Sequence, residues 1–361
     1  MTAQCYLQEQ FDRRGARIVL NGDHPWDIQV RDWPRMAAAF LRGTIGLGEA
    51  YMDGVWECDN LDELFYRLAG APFPTLAGLG VQTAALMRMG RRRNAFRVGE
   101  AHYDLGNDIY AAMLDRRMTY SCAYWDNGAR NLDQAQEDKL ELIARKLDLR
   151  PNMRVLDIGS GWGSLAGYLA EKYRVTVTGL TVSKEQAAFA NDRYAGAGVR
   201  TLVEDYRDHV PPVPYDRIVS VGMFEHVGVT AYRAFFQNAA RILARDGLLL
   251  VHTIGNSRKR DRPDPWVAKY IFPNSAIPDP VDIASASRGL FRLKHAEDIG
   301  GRNYWRTLIC WLNNFDAAYP SLDHNRYHER FRRMWRLYLG GAAGNMRAGL
   351  MDVWQFLYTK L

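Results

Sequence analysis

From residue 153 onward, short apolar runs of strand length alternate with stretches of helical spacing. MRVLDIG (153–159), RVTVTGL (174–180), VRTLVED (199–205), YDRIVSVGMF (215–224) and DGLLLVHTIG (246–255) are rich in Val, Ile and Leu and read as strands. Residues 164–173, 183–196 and 230–244 lie between them and read as helices. This alternation predicts βαβ units, hence a doubly wound α/β fold built on a parallel sheet with helices on both faces. The end, LMDVWQFLYTKL, alternates as a closing strand.

Ahead of this part the pattern predicts a smaller α+β unit. GARIVL (15–20) and WDIQVR (26–31) read as short strands about the turn dipeptide Asn21-Gly22. A helix over 33–43 follows, with Pro34 in its first turn and Gly43 as its stop, then a second over 61–69. From 71 to 98 the character changes to prolines, a Leu/Met/Ala-rich middle and a cluster of Arg88, Arg91, Arg92, Arg93 and Arg97. The expected organisation is an N-terminal domain over 1–74, a linker helix over 75–100 and the α/β domain over 101–361.

Composition narrows the class. Of 361 residues, 47% are hydrophobic and 24% charged, which excludes a disordered or collagen-like chain. No run approaches the ~20 apolar residues of a bilayer span, and the N-terminus lacks a signal peptide's apolar core. Four cysteines without a CxxC pair favour a reducing cytoplasm over a disulfide framework. Net charge is +6, and only eight of the 47 basic residues are Lys. An Arg-rich excess favours an anionic partner: nucleic acid, phospholipid headgroups or a small anion.

VLDIGSGWG (155–163) sets Gly159, Gly161 and Gly163 between a strand and a helix, where glycine permits a tight turn and close approach of a ligand. Dinucleotide and S-adenosylmethionine (SAM) enzymes both use such turns. Asp157 separates them, because it fits the LDxGxGxG pattern of class I methyltransferases. A dinucleotide site asks instead for GxGxxG and a carboxylate closing the second strand, which here ends Gly179-Leu180-Thr181. The expected fold is therefore the Rossmann-like class I methyltransferase. Thr181 and Gln186 are the polar candidates for the ribose hydroxyls, with Asp205 and Tyr206 where an adenine would lie.

Glu225 and His226 follow the fourth strand, and His252 closes the fifth. In this strand order the first, fourth and fifth strands are neighbours, so these groups share the crevice at the carboxyl edge. They read as a proton-handling pair or as a hydrogen-bonded structural pair. A metal site of Glu225, His226 and His252 is a third reading, although these residues show no HxxxH or HxH spacing.

HYDLGNDIY, YSCAYW, VLDIGSGWG, YRDH, DRIVSVGMFEHVG, LLVHTIG and DPWVAKYIFPN, in that order, resemble the motifs of the cyclopropane-fatty-acid-synthase family, also called cyclopropane-fatty-acyl-phospholipid synthases. TIGLGEAYMDGVWECDNLDEL is similar to that family's N-terminal segment. The resemblance implies transfer of the SAM methyl carbon to the cis double bond of an unsaturated acyl chain on a membrane phospholipid. The resulting carbocation would lose a proton to bound bicarbonate as the ring closes. The implied bicarbonate ligands are Cys122, Glu225, His252, Tyr304 and the backbone of Ile254. The implied SAM contacts are Tyr120, Ser121, Gly159, Gly161, Thr181, Gln186 and Tyr206. Tyr120, Tyr124, Trp125, Phe224, Tyr270 and Tyr304 are aromatic faces able to stabilise a cation, several of them expected to be plain core.

The same resemblance implies a homodimer, cytoplasmic and peripherally bound to the inner face of the membrane, with a lipid-associated front domain. Residues 76–97, apolar beside Arg91–Arg93, read either as an interdomain helix with inward leucines and solvated arginines or as a membrane-docking surface. No NPPY-like or cysteine-nucleophile motif supports a nucleic-acid partner. Two positions depart from the family: Ser160 where many relatives have Cys, and Ala342 where a late Cys often stands. Electrophilic methylation of an alkene needs no thiol nucleophile, so activity is expected. A related enzyme making a branched methyl chain, or methylating a small amine, is the alternative; Cys122, Glu225, His252 and Tyr304 favour ring formation.

Overall fold

The computed structural model describes residues 2–13, 15–69, 106–256, 264–273 and 275–361. The linker helix expected over 75–100, its Arg91–Arg93 cluster and the first residues of HYDLGNDIY lie outside the described residues.

In the front unit, α1 (Ala3–Asp12), α2 (Trp33–Leu41), α3 (Gly43–Met52) and α4 (Leu61–Ala69) accompany β1 (Gln29–Val30) and β2 (Trp56–Glu57). Asp32 caps α2 by accepting from the Arg35 amide at 3.0 Å, and Pro34 sits in its first turn as expected. Gly43 does more than stop the helix. At φ +64° it turns the chain directly into α3. The strand expected over 15–20 is corrected. Ala16, Ile18 and Leu20 are alternately buried, but the segment makes only an isolated bridge from Leu20 to Ile28. The ladder of this unit instead joins β1 to β2, antiparallel.

The second part begins with α5 (Asn107–Met113) and α6 (Leu132–Lys146). The βαβ series follows: β3 (Arg154–Ile158), α7 (Ser164–Tyr173), β4 (Thr176–Thr181), α8 (Lys184–Arg193), β5 (Val199–Val203), β6 (Tyr215–Val221), α9 (Tyr232–Ile242) and β7 (Leu243–Gly255). Then come α10 (Pro265–Tyr270), α11 (Pro280–Ser287), β8 (Phe291–Asp298), α12 (Gly301–Ala318), α13 (Glu329–Arg347) and β9 (Asp352–Lys360). The sheet runs β5-β4-β3-β6-β7-β9-β8. Its first five strands are parallel; β9, the closing strand, inserts antiparallel between β7 and β8. The sheet is therefore mixed, and β8 was not foreseen. The long helices α6, α12 and α13 were not foreseen either.

Adjacent residues of each inner strand serve opposite faces. Val155, Val219 and Leu250 join Ile143, Leu165 and Leu169 under α6 and α7. Leu156, Ile218 and Leu249 join Phe235, Phe236 and Ile283 under α9 and α11. Burial on both sides is why these strands read as unbroken apolar runs. A third core joins the front unit (Leu7, Ile18, Trp56, Leu64) to Ile109, Trp311, Trp335 and Met346. There α4 lies against α13 at Gly340 and Gly344, where an added Cβ would stand 2.6 Å from Leu61 Cβ and 2.4 Å from the Asp62 carbonyl.

Candidate active site

The glycine turn after β3 opens into a cleft at the carboxyl edge of the sheet. Tyr120, Ser121, Asp157, Gly159, Gly161, Thr181, Gln186, Asp205 and Tyr206, all anticipated from the sequence, line it. Gly163 does not. It sits at φ +78° with no room for a side chain, since a Cβ would come within 3.0 Å of Ala190. Helix packing against Ala190 and Tyr194 thus also asks for a glycine there. Gly161, at φ +55°, is different: a Cβ there would meet only Gln186 Nε2, at 4.0 Å, so the turn faces open space.

The other walls are held by short hydrogen-bond chains. Ser183 caps α8 through the Gln186 amide at 3.2 Å. Thr181 Oγ1 then donates to Gln186 Oε1 at 2.8 Å, which occupies the amide oxygen. Gln186 is 4% exposed, so it belongs to the site rather than to a solvated helix face. Asp205 accepts from the Arg207 amide at 3.0 Å and pairs with its guanidinium, which fixes the loop carrying Tyr206. Tyr206 packs edge-on to Phe235, and burial pushes its hydroxyl up to about 12.

Helix α6 supplies what the motifs did not reveal. Gln136 donates from Nε2 to the Thr119 and Ser121 carbonyls at 3.2 and 2.9 Å, and Lys139 donates to Ser121 Oγ at 2.7 Å. These bonds hold the segment bearing Tyr120 and Ser121 against the cleft. Lys139 is 1% exposed; burial lowers its ammonium to about 8, against the pull of Asp115, Cys122 and Asp157. Asp157 shows the mirror effect: burial raises its carboxyl to about 7, with Lys139 opposing. Polar residues on the buried stripe of α6, in a chain with so few lysines, were the available signal.

Cys122, Glu225, His252, Ile254 and Tyr304 lie beside this cleft rather than in its lining. Glu225 sits in the 3-10 turn Phe224–His226 after β6, and its Oε1 accepts from the Ile254 amide at 2.7 Å. The Ile254 backbone, expected to face an anion, is thus already engaged by Glu225. Glu225 Oε2 is buried and has no hydrogen-bond partner among the described residues. Burial raises this carboxyl above the usual carboxylate range, opposed first by the Ile254 amide and then by its own amide and the nearby Thr253 hydroxyl. His226 is pushed down to about 4 by burial and lines the cleft.

His252 and Ile254 share one face of β7, and their cross-strand partners on β9 are Gln355 and Val353. Val353 packs with Cys122, Ile299 and Tyr304, so the expected cysteine and tyrosine gather on the His252 side of the sheet. A clip from α12 brings them there. Thr307 Oγ1 accepts from the Ala123 amide and Trp125 Nε1, each at 3.1 Å, and Asn303 Oδ1 accepts from the Trp125 amide at 2.6 Å. Burial pushes the Cys122 thiol up, which keeps it protonated. Among the aromatic candidates, Tyr120 lines the cleft, with its hydroxyl 3.0 Å from that of Tyr338. Phe224 is core, stacked on Tyr232, and the Tyr270 hydroxyl donates to Glu49 at 2.8 Å.

Known proteins place this geometry. The profile of the family described as mycolic acid cyclopropane synthetase matches residues 90–356. Cyclopropane-fatty-acyl-phospholipid synthase of Escherichia coli (strain K12) is 44% identical over 351 residues, covering 96% of this chain and 91% of that protein. A mycolic acid cyclopropane synthase solved with SAH and CTAB superposes with a TM-score of 0.67 at 33% identity, covering 74% of this chain and 98% of that one. Coclaurine N-methyltransferase superposes with a TM-score of 0.71 over 87% of this chain and 99% of that one, but at 20% identity it attests the fold alone. With the family model matched over most of the chain and a relative 44% identical over 96% of it, the chain belongs to the mycolic acid cyclopropane synthetase family of SAM-dependent methyltransferases.

Proposed function

We propose that this enzyme transfers the SAM methyl carbon to the cis double bond of an unsaturated phospholipid acyl chain and closes it to a cyclopropane ring. Cys122, Glu225, His252 and Tyr304 would hold bicarbonate as the proton acceptor. The observation that carries the reading is Glu225, a buried acid held toward its neutral form with one oxygen unpartnered beside the cleft. Such a carboxyl can donate a hydrogen bond to an anion instead of repelling it.

The residues suit both groups. The open space over Gly161, bordered by Tyr120, Gln186 and Tyr206, fits SAM; the unpaired Glu225 oxygen fits an oxyanion. When bound, SAM supplies an electrophilic methyl carbon and bicarbonate a base for the proton released on ring closure. An uncharged alkene is a poor nucleophile, so holding it against the methyl must supply much of the rate. Gln136 and Lys139 serve that end by fixing the wall at Tyr120 and Ser121. The packed rings of Tyr120, Tyr110 and Trp311 keep water from a cationic centre. Ile254 acts through Glu225, by orienting its carboxyl.

The test is incubation of the full-length protein with SAM and vesicles of unsaturated phospholipid, followed by fatty-acid mass analysis. A gain of one CH2 per double bond is expected. Two further hydrogens would mean a branched methyl product, and unchanged lipid would overturn the proposal.

A further inference from the structure

A polar chain of Gln355, Lys146 and Glu297, used by none of the steps above, leads to His252. The antiparallel register of β7 and β9 sets His252 directly opposite Gln355, and their side chains are 2% and 0% exposed. Gln355 Nε2 lies 3.1 Å from His252 Nδ1. The other end of the same amide, Oε1, lies 2.5 Å from Lys146 Nζ. Lys146 in turn pairs with Glu297 of β8.

These contacts decide a proton position. An ammonium has three donors and no acceptor, so the end of the amide facing Lys146 must be its carbonyl oxygen. The NH2 end therefore faces His252. An amide nitrogen cannot accept, so Nδ1 must, and the one proton of the neutral ring resides on Nε2. We propose that Gln355, oriented by Lys146 and Glu297, is a positioning residue that fixes His252 as its neutral, Nε2-protonated tautomer. The surroundings reinforce it. Burial holds His252 well below the usual histidine range, and Lys139 and Lys146, both on α6, push the same way. From β6 the paired residue is the uncharged Val221. His252 so held presents an N–H donor and takes no proton at Nε2; it can bind an oxyanion but is not the base that receives the ring-closure proton.

The proposal rests on the reading of His252 as a group at the reacting centre, and its test separates the two. Full-length protein carrying 15N-labelled histidine rings reports each tautomer by NMR, the His252 signals being those lost in His252→Gln. The parent is expected to show a protonated Nε2 and a bare Nδ1 from pH 6 to 8. Gln355→Glu sets a carboxylate against Nδ1 and is expected to draw a proton there. kcat should then fall above the raised pKa of the ring, where the neutral ring carries its proton on Nδ1 and Nε2 is bare, while KM for SAM stays within two-fold. Lys146→Met releases the amide to turn over and is expected to give a mixture of tautomers. A parent ring protonated on Nδ1 at pH 7, or ring signals unchanged in both variants, would overturn the assignment. Full activity in His252→Gln would instead remove His252 from the reacting centre, with the ring signals still deciding the tautomer.

Discussion

Glu225 and Asp157 are two acids that burial drives toward the neutral form, at different cost to the fold. Glu225 has an amide donor on one oxygen and none on the other, so its protonated state can serve an anion. Glu225→Gln and Cys122→Ser are expected to lower ring formation ten-fold or more, about 1.4 kcal/mol, with SAM affinity measured by calorimetry little changed. Removing bicarbonate should slow the parent in the same assay. Burial pushes the Asp157 carboxyl up to about 7 from an ordinary 3.8. A raised carboxyl means that the native state binds the extra proton, so this residue's contribution to stability falls as pH rises from about 4 to about 7. Asp157→Asn abolishes that slope. Between pH 4 and 8 the stability difference should move in the variant's favour by on the order of 3 kcal/mol, read from denaturant unfolding at each pH. An unchanged slope would show that Asp157 ionises freely.

At the scale of elements, the site hangs from helices rather than from its motifs. Helix α6 grips the Tyr120–Ser121 segment through Gln136 and Lys139, while α12 clips Ala123 and Trp125 through Thr307 and Asn303. Helix α13 plays another part: its glycines let α4 of the front unit approach closely. Gly344→Leu would drive a side chain into the Asp62 carbonyl and Phe65 Cβ. The variant is expected to lose about 2–4 kcal/mol in thermal unfolding and to expose α4 to protease. Ala342, where relatives often carry Cys, lies on this same helix and packs on the shared core; it is not in the lining of the cleft.

For the whole molecule, the proposed substrate, an alkene inside a bilayer, gives the net charge of +6 a role. Among the described residues no helix is long and apolar enough to cross a membrane. Under the proposed function, access to lipid would be by docking, through apolar insertion with cationic attraction to anionic headgroups. Replacing Arg91, Arg92 and Arg93 with Gln should weaken sedimentation with anionic vesicles, by about 1 kcal/mol or less per residue. SAM binding should be untouched, and the defect should shrink in high salt or on neutral lipid. Parent-like sedimentation of the triple variant would move the docking surface elsewhere.

The sequence alone determined whatever depends on neighbours along the chain. The apolar runs announced strands buried on both faces, and the turn after β3 needed its positive-φ glycines wherever the rest of the fold lay. Motif order carried the family, and through it the proposal of Cys122, Glu225, His252 and Tyr304. It left unread what is set between distant segments. Gly163 and Gly161 look alike in the motif, yet one meets Ala190 and the other open space. Alternation at 15–20 gave burial but not pairing, because a ladder needs a partner strand. The closing strand was legible as a strand, but its antiparallel place beside β7 was not. Only that register sets Gln355 against His252, and only the packing of α6 over the same face brings Lys146 to the amide. A proton's position on one imidazole thus depends on three segments that meet nowhere in the sequence, since a buried hydrogen bond is satisfied by whatever the fold places beside it.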